Sequence, residues 1–191
     1  MNRIEQGFES VEALGGLLQA YSIPIELWGQ GRAKTVGHLF KELAEGDTEL
    51  VTLGRELLRQ VAFVNIDVYA EFDGALHRSR EDRQVFDEGL PTERTRTREM
   101  VGAVKEKLHK AEKPDKVIER AVQEELQVRG RVAYKKLREE DLDEESPSYP
   151  GLRSKYKAHY FRADLKGDQI DREGYKEVQT DKTTYFVWDR V

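Results

Sequence analysis

The run from Gln60 to Phe86 constrains the fold more than any other stretch of this chain. Its first half alternates apolar and polar positions, with Val64, Ile66, Val68, Ala70 and Phe72 on one side. Such alternation is typical of a half-buried β-strand. Asp73-Gly74 follows, a dipeptide favoured in two-residue hairpin turns because both positions must accept a positive φ. The sequence therefore predicts a long β-hairpin, which excludes a purely parallel, doubly wound sheet.

Helical patterns precede this hairpin. Residues 3–20 place apolar side chains at steps of three and four, which predicts a helix that ends before Pro24. Thr35 is a suitable N-cap for a second helix, which Gly46 would end. The apolar segment from residue 50 to 58 fits either a strand or a helix.

Further elements are expected after the hairpin. Alternation predicts a strand near residues 94–98, helical spacing predicts a helix at about 115–127, and a strand near 128–134 follows. The charged residues 138–151 are interpreted as an exposed loop. Strands are expected at 156–165 and 176–191, the latter a hairpin or a bent strand about Thr180-Asp181. The fold class is thus α/β (α+β), a mixed sheet with packed helices.

Composition narrows the chemistry. The 191 residues include no cysteine, which excludes disulfides, thiolate zinc sites and cysteine nucleophiles, and the four histidines show no ligand spacing. Any metal site would therefore use carboxylates, which favours Mg, Mn or Ca. The net charge of -5 opposes general nucleic-acid binding. No apolar stretch suits a membrane span and no targeting segment is evident, so a cytoplasmic protein is expected.

The stretch EKPDKVIERAVQEELQV, residues 112–128, resembles a degenerate Nudix box, whose consensus is G-x5-E-x7-R-E-U-x-E-E-x-G-U with U a bulky aliphatic residue. The matching positions are Glu112, Arg120, Val122, Glu124, Glu125 and Val128. Three positions depart from the consensus: Glu106 and Gln127 replace its glycines, and Ala121 replaces the glutamate after the arginine.

The resemblance implies a Nudix-like α/β/α sandwich over residues 59–191, with residues 1–58 as an N-terminal helical extension. Nudix hydrolases cleave a diphosphate linked to another moiety, using Mg held by the glutamates of the box. The resemblance therefore implies Glu124 and Glu125 as catalytic residues only if the domain is active, and Glu112, Glu124 and Glu125 as metal ligands. Ala121 cannot bind metal, so Mg or Mn binding would be weak unless Glu173 or Glu177 completes the site. An ordinary solvated helix face explains the same residues without any ligand.

Other side chains are candidates for binding a phosphorylated ligand. Arg94, Arg96 and Arg98 share one face of a strand and, with Arg80, Arg83 and Arg120, could hold a diphosphate. Aromatic residues of the last strands could stack on a base: Tyr156, Tyr160, Phe161, Tyr185, Phe186 and Trp188. The segment WGQGRAKT, with Arg32 and Lys34 before a capped helix, could bind an anion. Each set also has a plain structural interpretation, as a charged strand face, core aromatic residues and a loop.

Three functions follow from these patterns. The leading hypothesis is a Nudix-like domain that hydrolyses weakly or not at all and binds a nucleotide-like or phosphorylated ligand, or a protein partner. The first alternative is an active Mg-dependent hydrolase of nucleoside diphosphate-linked compounds. The second is a structural or interaction protein without a ligand. A homodimer is possible, because the apolar stripes of the N-terminal helices must pack against something.

Overall fold

The computed structural model describes residues 2–4, 7–86, 94–97, 104–180 and 182–191, which contain three α-helices and ten β-strands. The chain divides into two compact units. The first unit comprises Met1–Phe63, Lys107–Glu112 and Glu139–Ala158. The second comprises Val64–Glu106, Lys113–Arg138 and His159–Val191. Helices and strands together confirm the predicted α+β class.

Two helices of the first unit begin at hydroxyl caps. Strand β1 (Asn2–Arg3) precedes helix α1 (Val11–Ala20), where Ser10 Oγ accepts a hydrogen bond from the amide of Ala13 at 3.2 Å. The helix predicted over residues 3–20 is therefore too long, because the backbone near its start pairs as a strand. Helix α2 (Val36–Glu45) begins after Thr35 and ends at Gly46, whose φ is +78°, as the sequence predicts.

Strands β2 (Glu49–Leu53) and β3 (Glu56–Phe72) resolve the ambiguous segment from residue 50 to 58. They pair antiparallel, and β1 pairs antiparallel with β2 on its other edge. The helices cover this part of the sheet with an apolar core formed by Leu14, Leu18, Ile23, Trp28, Leu39, Leu43, Leu50, Leu57, Tyr149 and Leu152. The predicted division between residues 58 and 59 falls inside β3.

In the second unit, β3 continues into the predicted hairpin. Strand β4 (Ala75–Phe86) pairs antiparallel with it across Asp73-Gly74, whose φ values are +49° and +71°. The hairpin and its turn are thus confirmed. Strand β5 (Arg94–Arg96) pairs antiparallel with β4, and β6 (Val104–Lys107) pairs with β3.

The remaining elements are helix α3 (Pro114–Leu126) and strands β7 (Ala133–Glu145), β8 (Arg153–Leu165), β9 (Tyr175–Val178) and β10 (Lys182–Arg190). Strands β9 and β10 form an antiparallel hairpin, and β10 also pairs with β4. Of the two forms predicted for residues 176–191, the structure confirms the hairpin, although Asp181 lies outside the described residues.

Strand β7 corrects one prediction. The charged run expected as a loop over residues 138–151 is extended strand as far as Glu145, because its backbone pairs with β8. Ladder hydrogen bonds to a neighbouring strand have overridden the weak β-propensity of charged residues. Within the described ranges, no helix is both long and apolar enough to cross a membrane.

Candidate functional site

Helix α3, which carries most residues of the Nudix-like box, is amphipathic. Pro114 occupies its first turn together with Asp115, where a missing N–H and a negative charge both suit the helix N-terminus. The buried stripe consists of Val117, Ile118, Ala121, Val122 and Leu126. This stripe fixes the rotation of the helix, because those side chains must face the core.

The helix ends at Gln127, whose φ is +55°. Left-handed backbone of this kind favours glycine, and glycine is the residue that the box consensus has here. The amide of the Gln127 side chain donates a hydrogen bond to the carbonyl oxygen of Lys176 at 3.1 Å. This hydrogen bond connects the end of α3 to β9. It takes the place of the conformational freedom that a glycine would provide at this position.

Ala121, the most consequential departure from the consensus, belongs to the buried stripe and is only 1% exposed. A carboxylate introduced there would enter the core rather than the solvent. The position therefore serves packing in this chain.

The two consecutive glutamates have different surroundings. The Glu124 side chain is 61% exposed, and its carboxylate lies 3.5 Å from Nη1 of Arg120, one helical turn earlier. Glu125 is partly buried. Burial, reinforced by the negative charges of Glu177, Glu106 and Glu81, raises the pKa of Glu125 to about 9.

The carboxylates that act on Glu125 come from three strands. Glu81 lies on β4 and is buried, Glu106 lies on β6, and Glu177 lies on β9. Lys182 on β10 lowers the same pKa without offsetting the rise. Hard oxygen donors of this type suit Mg or Mn chemically. Over the part of the chain that the structure describes, however, no three histidine, aspartate or glutamate side chains are arranged to hold a metal ion.

Glu112 and Arg120, two other predicted ligands, form hydrogen bonds within the chain. Glu112 Oε2 accepts a hydrogen bond from the amide of His109 at 3.1 Å. Arg120 Nη1 donates to Glu106 Oε1 at 3.1 Å as well as approaching Glu124. Arg94 and Arg96 lie on β5, whereas Arg98 lies outside the described residues.

Lys34, a candidate for anion binding, is held inside the first unit. Its Nζ lies 2.6 Å from Oε1 of the buried Glu42. The other Glu42 oxygen, Oε2, lies 3.3 Å from Nη1 of Arg59. Lys34 thus neutralises a buried carboxylate.

A cavity of about 950 Å³ opens at the C-terminal end of α3. It is lined by Arg83, residues 126–129, residues 168–176 and residues 185–187. Four of these side chains are cationic, namely Arg83, Arg129, Arg172 and Lys176, and three are acidic, namely Asp168, Asp171 and Glu173. The volume is in the range that accommodates a small organic ligand.

One wall of this cavity combines a cation with an aromatic ring. Arg83 and Tyr185 face each other across β4 and β10, and Cζ of Arg83 lies 4.3 Å from the centre of the Tyr185 ring. Tyr175 is fixed at another wall, since its hydroxyl donates to the carbonyl of Gln169 at 2.7 Å. Its ring also packs edge-on against Trp188, with 5.7 Å between the ring centres.

The sequence predicts part of this wall. Arg83 and Tyr185 are among the predicted candidates, in separate sets, whereas Arg129 and Tyr175 are not. Arg129 directly follows the last aliphatic position of the box, where the consensus specifies no residue, so the motif does not predict it.

The remaining aromatic candidates lie elsewhere. Tyr156 belongs to the first unit, where its hydroxyl accepts a hydrogen bond from Nη2 of Arg59 at 3.1 Å. Phe161 is buried in the second unit and packs edge-on against Tyr134, while Tyr160 stacks with Arg138. These rings therefore serve local packing.

No protein-family model matches the chain, and no curated protein matches it. Among solved structures, a crystal structure of C. elegans Ap4A hydrolase is 12% identical with a TM-score of 0.36. A binary complex of C. elegans Ap4A hydrolase is 14% identical with a TM-score of 0.34. Both similarities cover 68% of this chain and 80% of the other, and TM-scores this low do not establish a common fold.

Proposed function

We propose that the second unit binds a phosphorylated, nucleotide-like ligand in the cavity at the end of α3, with weak hydrolysis or none. The observation that carries this proposal is the juxtaposition of the Arg83–Tyr185 pair and Arg129 around a cavity of about 950 Å³. Guanidinium groups match the geometry of phosphate oxygens, and an aromatic ring offers a face for a base.

The position of the cavity supports a link with the box. Residues 126–129, which include the last positions of the Nudix-like motif, form part of its lining. The motif helix would thus position ligand-binding residues at its C-terminal end. Hydrolysis by the usual metal-dependent route would be weak, because a buried alanine occupies the position of a principal metal ligand.

Binding should be tested by calorimetric titration of the protein with ADP-ribose in the presence of EDTA. Arg129→Gln removes one cation from the cavity and should weaken binding roughly tenfold, the loss expected for one charge-assisted contact. Arg131→Gln is the matched control, since Arg131 is an exposed neighbour outside the cavity lining. Absence of binding by the unmodified protein at millimolar ADP-ribose would reject the proposal.

A second candidate function is Mg- or Mn-dependent hydrolysis of nucleoside diphosphate-linked compounds. It is favoured by the pKa of Glu125, which burial raises, together with the negative charges of Glu177, Glu106 and Glu81. A divalent cation would relieve that repulsion, and Glu177 would replace the carboxylate missing at Ala121. Glu112 belongs to the first unit, where its carboxylate accepts a hydrogen bond from the amide of His109, and it is not part of this proposed site.

Metal titration separates the two candidates. A cation bound only by the folded state raises the melting temperature by mass action. Mg or Mn should do so in the hydrolase hypothesis, and Glu125→Gln should abolish both the shift and any turnover of ADP-ribose. Glu124→Gln, on the same helix but exposed, is the control. A protein that neither responds to metal nor binds nucleotides would instead act as an interaction protein.

A further inference from the structure

The first unit contains a cavity of about 650 Å³ that shares no residue with the one at the end of α3. All of its lining residues belong to the first unit, in the segments 46–49, 60–62, 108–112, 141–143 and 155–157. Its apolar lining consists of Val61, Ala62, Leu108, Ala111, Leu142 and Tyr156. A cavity of this size, with apolar walls and a few polar groups, is typical of small-molecule sites.

Two acidic residues of the lining are neutralised by cations of the same unit. Oδ1 of Asp47 lies 2.9 Å from Nδ1 of His109, and its Oδ2 lies 3.3 Å from Nζ of Lys107. Both carboxylate oxygens of Asp143 accept hydrogen bonds from Arg153, at 2.6 and 2.8 Å. Carboxylates that already have such partners attract a bound cation only weakly.

The lining lysines Lys110 and Lys157 are not neutralised in this way. Both are exposed, and over the described residues neither ammonium group lies within ion-pair distance of a carboxylate. Among the remaining lining acids, Glu112 and Glu49 also interact within the chain, which leaves Asp141. Two available cations against one available acid favour an anionic ligand over a cationic one.

Lys110 belongs to a turn that neighbouring groups hold in a strained conformation. The amide of Glu112 donates to the carbonyl of His109 at 2.9 Å, and the Glu112 carboxylate accepts from the amide of His109 at 3.1 Å. Ala111, between them, has a φ of +64°, a left-handed conformation that is costly for alanine. Gly46 approaches so closely that a Cβ atom there would lie 3.2 Å from Cβ of Lys110. Backbone strain that is maintained by its surroundings is concentrated at functional sites.

We propose that this cavity binds an organic monocarboxylate with an apolar body, whose carboxylate contacts Lys110 and Lys157 and whose apolar part lies against Val61 and Leu108. A phosphate ester or diphosphate fits less well, because a group with two or more negative charges is repelled by the carboxylates of the lining. This site does not depend on the nucleotide-like ligand proposed for the second unit.

Calorimetric titration of the full chain with octanoate, kept below its micelle concentration, tests the site. Octylammonium has the same apolar chain with the opposite charge, and it should bind at least roughly tenfold more weakly than octanoate. An excess of ADP-ribose should leave octanoate binding unchanged. Absence of saturable octanoate binding at millimolar concentration would overturn the proposal, as would equal affinities for the two probes or displacement of octanoate by ADP-ribose.

Charge reversal at the two lysines locates the site. Lys110→Glu with Lys157→Glu should weaken octanoate binding at least roughly tenfold and make octylammonium the tighter ligand, a reversal that misfolding could not produce. Arg32→Glu with Arg55→Glu is the matched control, since it changes the net charge equally at exposed residues of the first unit outside the lining. A lysine double variant that keeps the original preference for octanoate, or a control that loses it equally, would overturn the proposal.

Discussion

Arg83 and Tyr185 lie directly opposite each other on β4 and β10, with Cζ of the arginine 4.3 Å from the centre of the tyrosine ring. The pair lines the cavity at the end of α3. Nη1 of Arg83 also lies 2.6 Å from Oδ2 of Asp82, so the guanidinium contacts both a carboxylate and the ring. A ligand that carries phosphate and a base would meet both groups at once.

Replacement of Tyr185 by leucine should weaken ADP-ribose binding by about 1 to 2 kcal/mol, the usual contribution of one stacked aromatic ring. Tyr185→Phe keeps the ring and should retain most of the affinity. Calorimetric titration of both variants measures the difference. Equal losses in the two variants would show that the hydroxyl, and not the ring, contacts the ligand.

Stability should decline with rising pH because of Glu125. Its folded-state pKa of about 9 lies above the unfolded value of about 4.3, so the folded protein binds an extra proton between these limits. The resulting stabilisation is complete below the unfolded pKa and is lost as pH rises through the folded one. Glu125→Gln should remove this pH dependence and exceed the unmodified protein in stability by as much as about 5 kcal/mol at pH 8, or about 1.4 kcal/mol for each pH unit above the unfolded pKa.

Urea unfolding at several pH values measures this effect. Glu124→Gln should leave the slope unchanged, because its carboxylate is 61% exposed. A Glu125→Gln protein with the same pH dependence as the unmodified chain would show that Glu125 is ionised in the folded state at neutral pH.

Restoring the consensus glutamate at Ala121 should damage the protein. The position is 1% exposed, so Ala121→Glu would bury a carboxyl group in the apolar stripe and lower the free energy of unfolding by roughly 3 kcal/mol or more. Gln123→Glu adds the same group at an exposed position of the helix and should cost far less. An Ala121→Glu variant that stays stable and gains Mg binding would contradict this placement.

Gly174 is required by the close approach of β10. A Cβ atom there would lie 2.1 Å from the carbonyl oxygen of Phe186, and the φ of +100° already disfavours other residues. Gly174→Ala should therefore displace this wall of the cavity, with a loss of stability of roughly 2 kcal/mol or more. Gly167 also has a positive φ, +58°, but open space surrounds it. Gly167→Ala therefore tests the backbone strain alone, and it should lower the free energy of unfolding by only about 1 kcal/mol, measured by thermal unfolding. Equal losses would show that the contact with Phe186 relaxes easily.

The sequence predicts correctly the turns, caps and helix ends that depend on residues adjacent in the chain. The turn at Asp73-Gly74, the caps Thr35 and Gly46 and the extent of α3 all follow from residues adjacent in the chain. Strand β7 could not be predicted in this way, because it depends on pairing with β8 and not on its own charged residues. The start of α1 was misplaced for the same reason, since the chain before it pairs with β2.

The candidate site, too, can be predicted from the sequence only in part. The amphipathic pattern of α3 could predict that Ala121 belongs to its buried stripe, since the spacing of apolar residues determines the face. The sequence offers Glu177 as a possible partner of the box glutamates, but it does not predict that Glu81 and Glu106 also act on Glu125, because these residues come from distant parts of the chain. The cavity likewise unites Arg83, Arg129 and Tyr185 only through the folded sheet.

The central claim, that a nucleotide-like ligand occupies the cavity at the end of α3, is tested most directly by amide NMR of the labelled protein titrated with ADP-ribose. Shift changes should concentrate at residues 127–129, 168–176 and 185–187, and should saturate with increasing ligand. Amide signals that do not move at millimolar ADP-ribose, or that move only outside these residues, would contradict the claim.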